Sequence, residues 1–141
     1  MKEKNFQTEF GKRNTVHGVF ELKLCKQRSL PFNSVAKHQV RSLSNAENNG
    51  IYHKISDTPV SWQKNQRFTR SKPFDCFYLK CDAYVVIMFY EPRKKKNVYY
   101  IRIVDWIDMQ RRYERKSITE DMAKKVARYI VSYNKKQEVL Q

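Results

Sequence analysis

The chain has 141 residues, with 29 Lys and Arg against 14 Asp and Glu, a formal charge of +15 and 40% hydrophobic residues. That length fits a single domain, 1–141, around one core, and the apolar share excludes a disordered chain. So large a positive excess costs self-repulsion, and the usual reason to keep it is a polyanionic partner, with nucleic acid ahead of a membrane surface.

Phe6 and Phe10, four apart in "EKNFQTEFGK", predict a short N-terminal helix closed by Gly11, with Glu9 near its end. "VFELKLCK", residues 19–26, predicts a strand. A helix is expected from about Ser34 to Ala46, capped by Asn33 or Ser34, with Ala36, Val40 and Leu43 as its apolar stripe and Gly50 beyond its end. Gln39 falls on that stripe, so its amide is expected to face inward. "GIYHKIS" reads as a strand, and residues 57–73 as a basic loop whose length suits a functional segment.

"FDCFYLKCDAYVVIMFY" predicts a β-hairpin turning near Lys80 to Asp82, followed by the basic turn "EPRKKKN" and a strand over "VYYIRIV". A short helix is expected over "DWIDMQRRYER", with "RRYERK" at 111–116 a solvated face. The last element, 117–136, reads as a helix. Ser117 and Glu120 form a capping box there, and Ile118, Met122, Val126, Ile130 and Tyr133 share a stripe. The fold class is α/β, a mixed β-sheet flanked by helices.

No apolar run approaches the roughly 20 residues that span a bilayer, so no membrane partner is expected. "MKEKNFQTEF" lacks the apolar core of a signal peptide, and Cys25, Cys76 and Cys81 read as reduced thiols. Neither they nor His17, His38 and His53 show a zinc-ligand spacing. An intracellular protein is expected, in the cytoplasm of a bacterium or a virus-infected host cell.

Glu21 and Lys23 carry the chemistry. Side chains alternate along a strand, so these two share a face, one pleat apart, in an otherwise apolar run. A second Glu-x-Lys, Glu114 and Lys116, lies in an arginine-rich helical stretch and reads as a solvated pair. A charge buried without a partner is costly, so Glu21 and Lys23 must form a salt bridge, reach solvent, or hold a metal ion and its water. Chemistry alone leaves a structural pair and a catalytic pair both open.

"FELKLCKQRSLPFNSVAKHQVRSL" resembles the PD-(D/E)XK nuclease superfamily and, within it, the RecU-type Holliday junction resolvases, including phage-encoded ones. The matching residues are Glu21, Lys23, Lys26, Ser29-Leu30-Pro31-Phe32 and His38-Gln39, followed by "NNGIYHKI"; the likeness covers about residues 19–55. It implies a restriction-endonuclease-like core and a metal-dependent endonuclease acting on branched DNA, working as a homodimer. The implied cofactor is Mg²⁺, with Mn²⁺ as a substitute. Glu21 would be a metal ligand, Lys23 would orient water or neutralise developing charge, and Gln39 would hold the water or a phosphate.

One feature departs from the family. The superfamily places an Asp on the strand before Glu-x-Lys, and residues 11–20 contain no acid. Asp75, in "KPFDCFYL", is the main candidate for the missing ligand, which implies a permuted strand order, and Glu9 is a third carboxylate. Lys26, the loop residues Lys64, Arg67, Arg70 and Lys72, and the run Arg93, Lys94, Lys95 and Lys96 are expected to follow the DNA backbone. Trp62 and Phe68 would stack on an opened base or pin the loop. The missing acid is the best argument for the alternative, a non-catalytic nucleic-acid-binding protein on the same fold.

Overall fold

The computed structural model describes residues 1–54, 76–113 and 116–133. Four helices appear there: α1 (Glu3–Arg13), α2 (Lys37–Asn48), α3 (Ile103–Arg112) and α4 (Glu120–Val126). The strands are β1 (Val19–Cys25), β2 (Ser29–Pro31), β3 (Ile51–Lys54), β4 (Cys76–Leu79), β5 (Ala83–Phe89), β6 (Asn97–Arg102), β7 (Ser117–Thr119) and β8 (Tyr129–Ser132). β1, β5, β6 and β8 form a mixed sheet in that order, β1 parallel to β5 and the other pairs antiparallel. The α/β class with a helix-flanked mixed sheet is therefore the observed architecture.

Alternation along the strands builds two cores. Odd-numbered residues of β5 and β6 (Val85, Ile87, Tyr99 and Ile101) pack with Leu43 of α2 and with Ile103 and Trp106 of α3. Even-numbered ones (Tyr84, Val86, Met88, Val98 and Tyr100) pack against Phe6 and Phe10 of α1. All seven β5 residues are buried, as expected for a central strand covered on both faces. α1 forms because its two phenylalanines lie one turn apart, with Glu3 in the first turn and Lys12 and Arg13 in the last, which suits the helix dipole. It runs past Gly11.

Gly18 brings β1 against the start of β5. A Cβ at that position would come within 2.5 Å of the Asp82 carbonyl, which accepts from the Val19 N–H at 2.9 Å. Only glycine permits that approach.

Two expectations are corrected. The predicted hairpin across Lys80 to Asp82 does not form: β4 pairs with β3, from Lys54 opposite Cys76 to Ile51 opposite Leu79. β5 already has β1 on one edge and β6 on the other, so no edge is left for β4. The predicted helix over 117–136 is helical only at Glu120–Val126. Ile118 instead pairs with Leu30 between β7 and β2, and Ile130 pairs with Tyr99 between β8 and β6. Those ladder partners override the helical stripe, and Thr119 rather than Ser117 caps α4, accepting from the Met122 N–H at 3.3 Å. Residues 134–136 of that expected helix lie outside the described residues, as do the loop 57–73 and its Trp62 and Phe68.

Candidate active site

β1 lies at one edge of the four-stranded sheet, and its two faces differ. Phe20, Leu22 and Leu24 join the core beneath α1, whereas Val19 and Cys25 join the core beneath α2 and α3. Glu21 and Lys23 lie between those last two, opposite Val85 and Ile87 of β5. An edge strand lets long side chains reach water from an apolar face, which makes two charges tolerable there. Lys23 Nζ lies 3.1 Å from Glu21 Oε1, with side-chain exposures of 17% and 27%.

The third member comes from α2. Gln39 Nε2 donates to the same Glu21 Oε1 at 2.9 Å, while Gln39 Oε1 accepts from the Ala36 N–H at 2.9 Å. One side chain thus caps the helix and clamps the carboxylate. The oxygen is held by backbone, so the amide presents its NH₂ to the site, and the expected inward orientation is what the structure has. The cap differs from the sequence expectation: α2 begins at Lys37, and Ser34 Oγ donates to the Pro31 carbonyl at 2.6 Å to close the short 3₁₀ turn Phe32–Ser34. Phe32 and Val35, both buried, anchor that turn in the core and set where α2 starts.

Glu9 is set apart from this cluster. Its helix packs on the opposite face of the sheet, and its carboxylate bonds Arg13 Nε at 3.1 Å. The expectation that Glu9 joins Glu21 in a metal site is corrected by this geometry, because the sheet separates them. Asp75 lies outside the described residues. Among the described residues, no three His, Cys, Asp or Glu side chains gather into a metal cage.

The basic residues divide. Lys26 follows β1 directly, and Lys94 and Lys95 lie in the β5–β6 turn, all three lining one cleft. Arg93 takes a positive φ of 66° in that turn, and Lys96 Nζ sits 5.1 Å from the centroid of the Tyr90 ring. Lys64, Arg67, Arg70 and Lys72 lie outside the described residues.

A second charged cluster was missed by sequence reasoning. Glu47, near the end of α2, bonds Arg102 Nη2 at the end of β6; Arg128 Nη1 reaches Asp82 Oδ2 at 3.0 Å. The Glu47 bond and charge hold Arg102 more firmly protonated. Glu47 Oε2 and Arg102 Nε are buried with no hydrogen-bond partner among the described residues, so the pair is one-armed. A signal did exist: Glu47 extends the Val40–Leu43 stripe by one more turn, placing a carboxylate on the buried side of the helix.

No protein-family model, curated protein or solved structure matches this chain.

Proposed function

We propose that the chain is a metal-dependent, structure-selective DNA endonuclease that hydrolyses phosphodiester bonds in branched DNA, as a Holliday junction resolvase does. The observation that carries this reading is the convergence of Lys23 and Gln39 on one carboxylate oxygen of Glu21, on an edge strand of the sheet. The reading places these residues on a restriction-endonuclease-like core, with the second acid supplied from downstream.

Glu21, the one described carboxylate of the site, is an oxygen donor of the kind a hard cation takes. Mg²⁺ takes one or two protein carboxylates and completes its shell with water and phosphate oxygens. Glu21 would supply one such ligand, and Asp75, 54 positions downstream (75 minus 21), would supply the second. Such an ion, Mg²⁺ or Mn²⁺, supplies a lowered pKa for water and charge compensation at phosphorus when bound.

The remaining work falls to the chain. Lys23, held beside Glu21, donates to the attacking water or to a phosphoryl oxygen as charge builds there. Gln39 fixes the Glu21 carboxylate in one orientation, so no rotamer must be frozen when substrate arrives. The net positive charge of +15 draws a polyanion to the protein. Two scissile strands in a junction fit a symmetric dimer.

A second reading is favoured by one specific observation. Glu21 Oε1 already accepts two donors, as in a structural ion pair, which suits a nucleic-acid-binding protein that performs no cleavage.

Cleavage assays separate the two. The purified protein with Mg²⁺ or Mn²⁺ should cut branched DNA, and Ca²⁺ should support binding with little cutting. Glu21→Gln and Lys23→Ala should each abolish cutting and keep binding. DNA binding without cleavage under any of these metals supports the second reading. Robust cutting by Glu21→Gln removes β1 from the active site.

A further inference from the structure

The two parallel strands end side by side. Cys25 of β1 lies opposite Phe89 of β5, and the Tyr90 N–H donates to the Cys25 carbonyl at 2.7 Å. Beyond that bond the chain leaves in different directions, from β1 to β2 and α2 and from β5 to β6 on its other side. In α/β sheets the crevice outside the carboxyl ends of strands, where connections diverge, is where ligands bind. Here that crevice is a cleft of about 390 Å³, lined by Lys26, Arg28, Glu91, Lys94, Lys95 and Glu120 among others.

Its charges are unbalanced. Four cations face two carboxylates, a local excess of two (4 minus 2). Glu91 Oε1 is taken by Lys94 Nζ at 2.9 Å, and Glu120 Oε1 accepts from the Tyr99 hydroxyl at 2.7 Å. Lys26, Arg28 and Lys95 have no carboxylate in salt-bridge reach among the described residues. These three cations, from two different turns and unpaired among the described residues, are held around one concavity, where they raise the local potential and favour an anion.

We propose that this cleft binds a backbone phosphate of a nucleic-acid strand laid along β1. The inference deepens the nuclease reading and rests on it for the position of the cut, but not for the binding itself. Cys25 is four positions beyond Glu21 (25 minus 21), about 13 Å of strand at ~3.3 Å per residue. With the duplex axis running along β1, that is a rise of about four base pairs at ~3.4 Å each. The cleft therefore grips the strand at a fixed distance from the scissile phosphate. It also divides the run at 93–96: Lys94 and Lys95 line this cleft, while Lys96 lines a pocket on the α1 side.

The test uses the full chain and a fluorescent four-way DNA junction, with affinity measured across a salt series. The double variant Lys26→Ala/Lys95→Ala should weaken binding and flatten the slope of log affinity on log salt by about 0.9 for each phosphate lost. Lys124→Ala/Lys125→Ala, which removes equal charge from the exposed last turn of α4, should leave that slope unchanged. Equal flattening by both doubles would overturn the proposal, since it would mean that only total charge matters. Neutralising single DNA phosphates as methylphosphonates should reveal one sensitive position about four nucleotides from the cut in the wild type and none in the first double. Inorganic phosphate should compete with the junction only weakly; tight phosphate binding that the junction does not displace would make the cleft a free-anion site and overturn the strand assignment. If the wild type cuts no DNA, the nuclease reading falls while the slope comparison still decides the cleft.

Discussion

The two ends of α2 each hold a carboxylate in an ion pair, and the pairs are built differently. Near the N-terminus, Gln39 and Lys23 both donate to Glu21 Oε1, and the acid and base are two residues apart on one strand. Near the C-terminus, Glu47 meets Arg102 across 55 residues of sequence, with Glu47 10% exposed and Arg102 34% exposed. The first pair sits on an edge strand and needs no distant partner to be neutral. The second links a helix to a strand end: among the described residues Glu47 has no other cation in salt-bridge reach, whereas Arg102 also has Asp82 at 4.0 Å. A charge pair on one edge strand can release a member to water, which limits the cost of breaking it. One that joins remote elements also ties those elements together, so its removal loosens their packing as well.

The sharpest break between them is in activity. Glu21→Gln keeps the shape but loses the charge, so cleavage of branched DNA should fall by at least ~10²-fold, with a modest fall in melting temperature because Lys23 loses its carboxylate but can turn from the edge strand to water. Glu47→Gln should leave the cutting rate per folded molecule intact. If the two variants lose activity equally, the functional distinction between the ends of α2 is wrong.

In stability the order reverses. Glu47→Ala leaves the Arg102 guanidinium with Asp82, 4.0 Å away, as its remaining described carboxylate and should cost about 1–3 kcal/mol, because a third of Arg102 also reaches solvent. Urea unfolding would show this as a lower midpoint at an unchanged slope. Glu47→Leu combined with Arg102→Met should recover much of the loss, because the pair is one-armed and leaves two buried polar atoms unsatisfied. A double variant as unstable as Glu47→Ala would show the pair to be worth more than its burial suggests.

Alkaline pH probes the neighbouring core. Burial, with the bond to Glu120, pushes the Tyr99 hydroxyl up from 10 to about 12. The unfolded chain releases this proton first, so the stability it represents is complete below about pH 10 and is lost as pH rises through about 12. Within that window the loss runs at about 1.4 kcal/mol per pH unit for one proton. Tyr99→Phe should remove one proton's worth of slope from unfolding measured between pH 10 and 12. Burial also raises Tyr84, Tyr100 and Tyr133, so part of the slope should remain.

The smallest expected effect is at the clamp. Gln39→Ala removes one bond to Glu21 and one to the Ala36 N–H, and should cost about 1 kcal/mol of stability. Its cutting rate should fall much less than that of Glu21→Gln, since the amide positions the carboxylate and does not replace it. A Gln39→Ala variant as dead as Glu21→Gln would promote the amide to a direct contact with substrate.

Periodicity made several elements legible without the structure. The Phe6–Phe10 spacing gave α1, the unbroken apolar run "AYVVIMF" gave β5, and alternation put Glu21 and Lys23 on one face before any fold was known. Gln39's position on the stripe of α2 was enough to turn it inward. These follow from local geometry, because the period of a helix or strand is a property of the chain itself. The charge excess, likewise, needed only counting.

Pairing was decided by the tertiary structure alone. Ile118, Met122, Val126, Ile130 and Tyr133 fit a helical stripe, yet β2 and the open edge of β6 claimed the two ends as β7 and β8. β4 went to β3 because both edges of β5 were taken. Which face of the sheet α1 would cover, and hence that Glu9 lies across the sheet from Glu21, is likewise absent from any window of sequence. The same holds for the meeting of Glu47 with Arg102 and of Lys26 with Lys95. The physical reason is common to all of them: a strand's hydrogen bonds, and a surface charge's neighbours, are satisfied by whichever distant segment packing delivers, and local pattern carries no record of that choice.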